Sequence, residues 1–139
     1  MIRTHASFRG HFPKDRLGND PPGGPLAELV ARGLAERGYV VSDRDSTDYS
    51  HTFTVRSGER RYFAMIGVAD DGDREWLLFL QESPSLLARL FGRRDEGDHL
   101  RLLRAVHDCL IGDPRIAELR WYTEQEWNSN PSGGTVAPG

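Results

Sequence analysis

The sequence predicts an α+β fold, in which a mainly antiparallel sheet of four to six strands carries about three helices packed on one face. Three observations lead to this prediction. An amphipathic helical segment precedes most of the strands, four short strands then follow one another, and further helical segments and one strand come last. The connections within the strand series are too short for parallel crossovers. The expected order is (β)-α-β-β-β-β-α-α-β, unlike the alternating order of a parallel sheet.

A strand and a helix open this order. Residues 4–12 are predicted as an edge strand with Ala6 and Phe8 facing inward, and closely spaced glycine and proline residues make 13–24 a loop. The first helix is predicted over 25–37, because a proline suits its first position and a glycine follows its end. Its apolar residues recur at helical spacing: Leu26, Leu29, Val30 and Leu34.

Four strands form the centre of the predicted sheet, at 39–41, 50–56, 60–69 and 75–81. Polar or glycine-containing turns separate them at 43–48, 57–58 and 70–73. The pattern does not decide which face the helices cover. It is either the opposite face or the one expected to carry Tyr62, Ile66, Leu77 and Phe79.

Helical segments return after the sheet. A short helix is predicted to begin after Ser83, and a longer one covers 98–111, with one broad apolar face made of Leu102, Leu103, Val106, Cys109 and Leu110. A last strand is predicted over 116–122. Asparagine, serine, proline and glycine dominate the rest, so 1–122 is predicted to be a single domain and 123–139 a disordered tail.

Composition excludes several classes of function. The chain has 139 residues, a formal net charge of −3 and a single cysteine, so no intramolecular disulfide forms. The charge gives no overall attraction to nucleic acid or to an anionic membrane. No stretch has the roughly 20 apolar residues that cross a bilayer, and residues 1–16 lack the apolar run of a secretory signal. We therefore expect a cytoplasmic protein.

The motifs of common catalytic and cofactor sites are missing. The glycines before the first helix lack the strand and the lysine of a phosphate-binding loop, and the five histidines do not stand at zinc-ligand spacing. The aspartates at 43–48 lack the glycine and glutamate pattern of a calcium loop, and those at 70–73 are typical of a tight turn between strands. A nucleophilic serine elbow is missing too. The sequence therefore predicts no catalytic residue, no metal ion and no cofactor.

One group of polar and aromatic residues is the candidate binding site. Three of its residues lie on facing strands of a predicted hairpin, close to two aspartates of the preceding turn and to a tryptophan. If the uncovered sheet face is concave, they line a shallow site, whereas a solvated outer face is the alternative interpretation. The six residues are Tyr49, His51, Arg61, Trp76, Asp45 and Asp48.

Three classes of function remain. We favour a non-catalytic protein-interaction module, a monomer or weak dimer comparable to bacterial immunity proteins or adaptors, whose acidic turns at 43–48 and 70–73 meet a basic protein partner. The alternative is a small-ligand-binding domain with a shallow aromatic and polar pocket, and an enzyme with dispersed catalytic residues is the third class. In the small-ligand alternative, the aromatic residues that line the pocket are Tyr49, Tyr62, Trp76 and Trp121.

Overall fold

The structure, a computed structural model, describes residues 2–12, 23–47, 49–69, 75–83, 96–129 and 133–139. Its strands are β1 (His5–Arg9), β2 (Val40–Ser46), β3 (Ser50–Ser57), β4 (Arg60–Val68), β5 (Glu75–Ser83) and β6 (Ala117–Tyr122). The helices of the described residues are α1 (Gly24–Glu36), α2 (Glu96–Ile111) and α3 (Glu124–Ser129). The predicted α+β fold with an antiparallel sheet is confirmed. The helix predicted after Ser83 and the turn at 70–73 lie outside the described residues.

The six strands form one sheet in the order β2-β3-β4-β5-β1-β6, and every neighbouring pair is antiparallel. The strands β2 to β5 are the expected meander. The prediction of β1 as an edge strand is wrong, because β1 lies between β5 and β6. Its inward residues Ala6 and Phe8 are buried as expected, but His5 is buried too, on the other face. A strand that is buried on both faces lies inside a sheet. Because His5 is polar, the sequence pattern did not indicate that this face of β1 is buried.

The polar segment after residue 42 is strand rather than turn. The prediction of a turn beginning at residue 43 is wrong, since β2 continues to Ser46 and pairs with β3 on both sides of a register shift between Ser42 and Asp45. Asp43 takes a positive φ of 55° there, which an aspartate tolerates at a bulge. Because β2 is at the edge of the sheet, its polar residues can face solvent and still belong to a strand.

The helices α1 and α2 cover one face of the sheet, which we call the inner face. Ile66 lies opposite Leu78 in the β4–β5 pair, and residues directly opposite point to the same side. Leu77 and Phe79 therefore point to the other side, the outer face, so the expected grouping of these two with Tyr62 and Ile66 is wrong. The main core residues of the inner face are Leu26, Val30, Leu34, Tyr62, Ile66, Trp76, Leu78, Leu80, Leu102 and Val106.

The helices α1 and α2 make close contact at Gly33. A Cβ atom built on this glycine would lie only 2.5 Å from the Sγ atom of Cys109. The cysteine is half-buried between the helices, and this burial raises the pKa of its thiol. Cys109, which the sequence places on the apolar face of α2, therefore packs against α1 as a protonated thiol.

The described parts of 123–139, where the sequence predicts a disordered tail, form a short helix and a bridge to the sheet. Thr123 and Glu126 form a reciprocal capping box at the start of α3: each side chain accepts a hydrogen bond from the other residue's backbone N–H, at 2.8 and 3.0 Å. The ring of Trp127 packs edge-on against Tyr122 at 5.3 Å. Thr135 and Trp121 exchange two backbone hydrogen bonds of 2.7 and 2.9 Å. These contacts attach the segment to β6.

Among the helices that the structure describes, none is both long and apolar enough to cross a bilayer.

Candidate functional site

The structure brings three of the predicted site residues to the start of α1. His51 is 8% exposed and points to the inner face, and a Cβ on Gly23 would lie 3.7 Å from its ring. Trp76 is fully buried, its ring would lie 2.9 Å from the same Cβ, and its indole N–H donates to the carbonyl oxygen of Gly10 at 2.8 Å. Asp45 lines a groove together with His51. Trp76 is therefore a core residue beside this groove, not part of an open sheet face.

The remaining predicted residues do not join them. Tyr49 is 82% exposed in the connection between β2 and β3. Arg61 alternates with the inward Tyr62 along β4, so it lies on the outer face. Asp48 is outside the described residues. The five predicted residues that the structure describes are thus spread over both faces of the sheet and a connecting segment, and they do not form one site.

The groove at the start of α1 has a volume of about 630 Å³. Glu28 on its wall forms ion pairs with Arg44 and with Arg32. A carboxylate oxygen of Asp45 accepts a hydrogen bond from the backbone N–H of Ser46 at 2.8 Å. The Glu28–Arg44 pair joins α1 to β2, whereas the Glu28–Arg32 pair lies within α1 and the Asp45 bond lies within β2.

A smaller cavity, of about 370 Å³, lies where β5 meets the start of α2. His99 on its wall is buried, and its Nε2 donates to the carbonyl oxygen of Leu80 at 3.0 Å. Glu82 forms an ion pair with Arg60 at 2.8 Å. The carboxylates of Glu96 and Glu124 complete an acidic lining. Within the described ranges, no three potential metal ligands cluster in a way that would hold an ion.

Asp98 connects the first turn of α2 to the sheet next to this cavity. It accepts hydrogen bonds from the hydroxyl groups of Tyr62 at 2.5 Å and Ser57 at 3.0 Å. Burial, and then the hydrogen bond to Asp98, raise the pKa of Tyr62, so its hydroxyl stays protonated and donates. The network positions α2 on the sheet, and its polar atoms already have partners.

A row of mainly apolar and aromatic residues crosses the outer face on five neighbouring strands, from β3 through β4, β5 and β1 to β6. Phe63 and Phe79 lie 6.3 Å apart between ring centroids, and Phe79 stacks on His5 at 5.4 Å. Phe63 is 39% exposed, although it stands near the middle of the sheet. Cross-strand register places the following residues in one line: Thr52, Met65, Phe79, His5 and Tyr122.

An arginine pair lies at one corner of the outer face. Arg56 on β3 is directly opposite Arg61 on β4, and both side chains are exposed. Val40 lies opposite Arg56 on β2 and is 58% exposed, and Thr54 lies opposite Phe63 one position along the outer face. We call these five residues, Val40, Thr54, Arg56, Arg61 and Phe63, the arginine corner.

A cleft of about 660 Å³ lies at the opposite side of the outer face, where α3 overhangs β6. Ser7 in this cleft donates a hydrogen bond from its hydroxyl to the Tyr122 hydroxyl at 3.3 Å, and Trp127 packs on Tyr122. Arg9 and Arg120 stand at the rim. The cleft combines aromatic rings with hydrogen-bonding groups.

Arg61 was predicted from the sequence as part of a different group, and its apolar neighbours on the outer face were not predicted. The signal was present in β5, where Trp76, Leu77, Leu78, Phe79 and Leu80 are apolar at both odd and even positions. Such a run is typical of a strand with apolar side chains on both faces. A strand in a sheet with one solvated face alternates instead.

No protein-family model matches the chain, and no curated protein or solved structure is significantly similar to it. The geometry of the described surfaces is therefore the basis for any functional inference.

Proposed function

We propose that this protein is a non-catalytic interaction module that binds a protein partner through the outer face of its sheet. The observation that carries the proposal is the exposed Phe63, which lies with the half-buried Met65 and Phe79 on the face that α1 and α2 leave uncovered, whereas His5 and Tyr122 at the β6 end of the row are buried. Solvent-exposed apolar patches of this kind mark interaction sites. Bacterial immunity proteins and adaptors are modules of this class.

The two edges of the sheet are poorer docking surfaces than its face. At the β2 edge, a bulge and the charged residues Asp43, Arg44 and Asp45 oppose the addition of another strand. At the β6 edge, Thr135 occupies the backbone groups of Trp121. A partner that packs on the face needs neither edge.

The test is a comparative capture of partners from a lysate of the source cells, with quantification by mass spectrometry. Phe63→Asp places a charge in the apolar surface, and Ile111→Asp is the matched control, because Ile111 is an exposed apolar residue at the end of α2. We expect a stoichiometric partner on the wild type and the control that is lost from Phe63→Asp. A partner retained by Phe63→Asp, or no partner on the wild type, would contradict the proposal.

The cleft beside Trp127 favours a second candidate, a small-ligand-binding function. Its volume falls in the range of small-molecule sites, and it combines the Tyr122 and Trp127 rings with the Ser7 hydroxyl. A thermal-shift screen of metabolites on the wild type and Trp127→Ala tests this candidate. A compound that raises the melting temperature of the wild type alone would support it, and a screen without such a compound would leave the interaction module as the only proposal.

A further inference from the structure

We infer that the partner binds the arginine corner with an acidic segment, in which carboxylates contact Arg56 and Arg61 and apolar side chains cover Phe63 and Val40. This inference rests on the proposed function, because it specifies the chemistry of the surface that the outer face binds. It concerns one corner of that face and can fail while the rest of the proposal holds.

The direct opposition of two arginines is unfavourable in the isolated chain. Like charges at directly opposite positions of an antiparallel pair repel each other. Among the residues that the structure describes, no carboxylate lies within ion-pair distance of Arg56 or Arg61, whereas Arg60 pairs with Glu82 at 2.8 Å and Arg3 with Glu126 at 3.0 Å. A partner carboxylate would remove the repulsion and supply the missing counter-charge.

The spacing of the corner defines the segment that fits it. Arg61 and Phe63 are two residues apart on one strand, so their positions on the outer face are separated by about 7 Å. Val40 flanks Arg56 on the other side. A segment that places a carboxylate between two apolar side chains matches this alternation. Arginine suits the role because its planar guanidinium binds a carboxylate through two parallel hydrogen bonds.

The small number of cationic groups at the corner favours a short acidic protein segment over a nucleic acid. A polyanion bound through phosphates needs many cationic contacts, and the corner offers two in a chain of net charge −3. An acidic protein segment needs only local complementarity and gains binding energy from the apolar side chains beside the charges.

The test uses a random-peptide display library selected on the immobilised wild-type protein. The selected peptides are then titrated against three variants: Arg56→Gln/Arg61→Gln, Phe63→Asp, and the charge-matched control Arg32→Gln/Arg104→Gln, which alters exposed positions of α1 and α2. We expect peptides with aspartate or glutamate beside aromatic or aliphatic residues. The arginine double variant should bind them roughly tenfold more weakly, and the control should bind them like the wild type.

Each other outcome has a distinct meaning. Peptides that are lost on Phe63→Asp but bind the arginine double variant normally overturn the acidic-segment inference and leave the outer-face function standing. Peptides that bind Phe63→Asp normally, or no enrichment at all, overturn both. A thymidine homo-oligonucleotide is the final probe: binding that disappears in the arginine double variant would assign the corner to phosphate and overturn the inference.

Discussion

Tyr62 and Asp98 illustrate how single residues fix a helix on the sheet. The Tyr62 side chain is fully buried, and its hydroxyl reaches the Asp98 carboxylate at 2.5 Å. Hydrogen bonds to charged groups contribute more to stability than neutral ones, and a buried partner that loses its bond carries a desolvation cost. The position of the α2 start therefore depends on one hydroxyl group.

We predict that Tyr62→Phe lowers the free energy of unfolding by about 2 kcal/mol, since the Asp98 carboxylate loses one of its two hydroxyl donors. Urea denaturation monitored by circular dichroism measures this change. Tyr49→Phe is the control, because the Tyr49 ring is largely exposed. Equal stability of the two variants would show that the Tyr62 hydroxyl does not anchor α2.

His5 predicts a dependence of stability on pH. Burial against Phe79 lowers the pKa of His5 below its ordinary 6.5, although the charge of Glu124 acts in the opposite direction. The unfolded chain therefore binds a proton at a higher pH than the folded chain. The contribution of His5 to stability is complete above about pH 6.5 and declines as the pH falls toward its folded pKa.

The expected result is a loss of wild-type stability between about pH 7 and about pH 5 that is smaller in His5→Asn. Denaturation midpoints at a series of pH values give this slope. His11→Asn serves as the control at an exposed histidine and should keep the wild-type slope. The assignment to His5 fails if the two variants titrate alike.

At the scale of elements, the α1–α2 contact shows how a glycine sets the approach of two helices. Gly33 costs helix propensity of about 1 kcal/mol relative to alanine, yet the space that a Cβ would occupy holds the Cys109 sulfur. Overpacking of a filled contact typically costs about 1–3 kcal/mol. The cost of overpacking is larger than the helix propensity that alanine would gain, and this explains why a glycine stands inside the helix.

Gly33→Ala is therefore expected to destabilise the protein by about 1 kcal/mol net, and Cys109→Ala in the same chain should restore stability by removing the sulfur. A double-mutant cycle from urea denaturation measures the coupling. If the two substitutions were additive, the close approach of Gly33 and Cys109 would not limit the helix packing.

Local sequence patterns predicted the helices and strands whose spacing and end residues are sufficient to identify them. Helical spacing and a terminal glycine placed α1 within one residue at each end, and strict alternation placed β3 and the inward residues of β4. Thr123 and Glu126 also have the spacing of a capping box in the sequence. The polar composition around them favoured a disordered tail instead, so α3 was not predicted.

Long-range pairing was the part that the sequence did not predict. The central position of β1 depends on partners that are distant in the chain, and the relative register of β4 and β5 decides which apolar residues share a face. The candidate site failed for the same reason: His51 and Arg61 are on facing strands, but their alternation sends them to opposite sides of the sheet. Among the predicted site residues that the structure describes, Arg61 alone belongs to the surface that we propose as functional.

At the scale of the molecule, both edges of the sheet are protected from pairing with another sheet. The bulge and charges of β2 protect one edge, and the backbone bonds between Thr135 and Trp121 cover part of the other. We expect this protection to oppose edge-to-edge pairing with a second copy of the chain, which leaves the outer face as the surface that we propose for association.

Replacing Thr135 with proline tests this protection, because proline cannot donate the backbone N–H that bonds to Trp121. We predict concentration-dependent self-association of Thr135→Pro in sedimentation velocity. Thr135→Val is the matched control: it keeps the backbone donor, loses only the hydroxyl bonds, and should stay monomeric. A monomeric Thr135→Pro would mean that the β6 edge needs no cover.

The position of β1 between β5 and β6 also affects the order in which the sheet folds. The meander from β2 to β5 closes through neighbouring segments, whereas β1 needs one partner that follows it by some seventy residues and another that follows by more than a hundred. During synthesis, Ala6 and Phe8 therefore leave the ribosome long before the strand that completes their surroundings exists. The sheet therefore closes late, and β1 pairs only after both of the strands beside it have been synthesised.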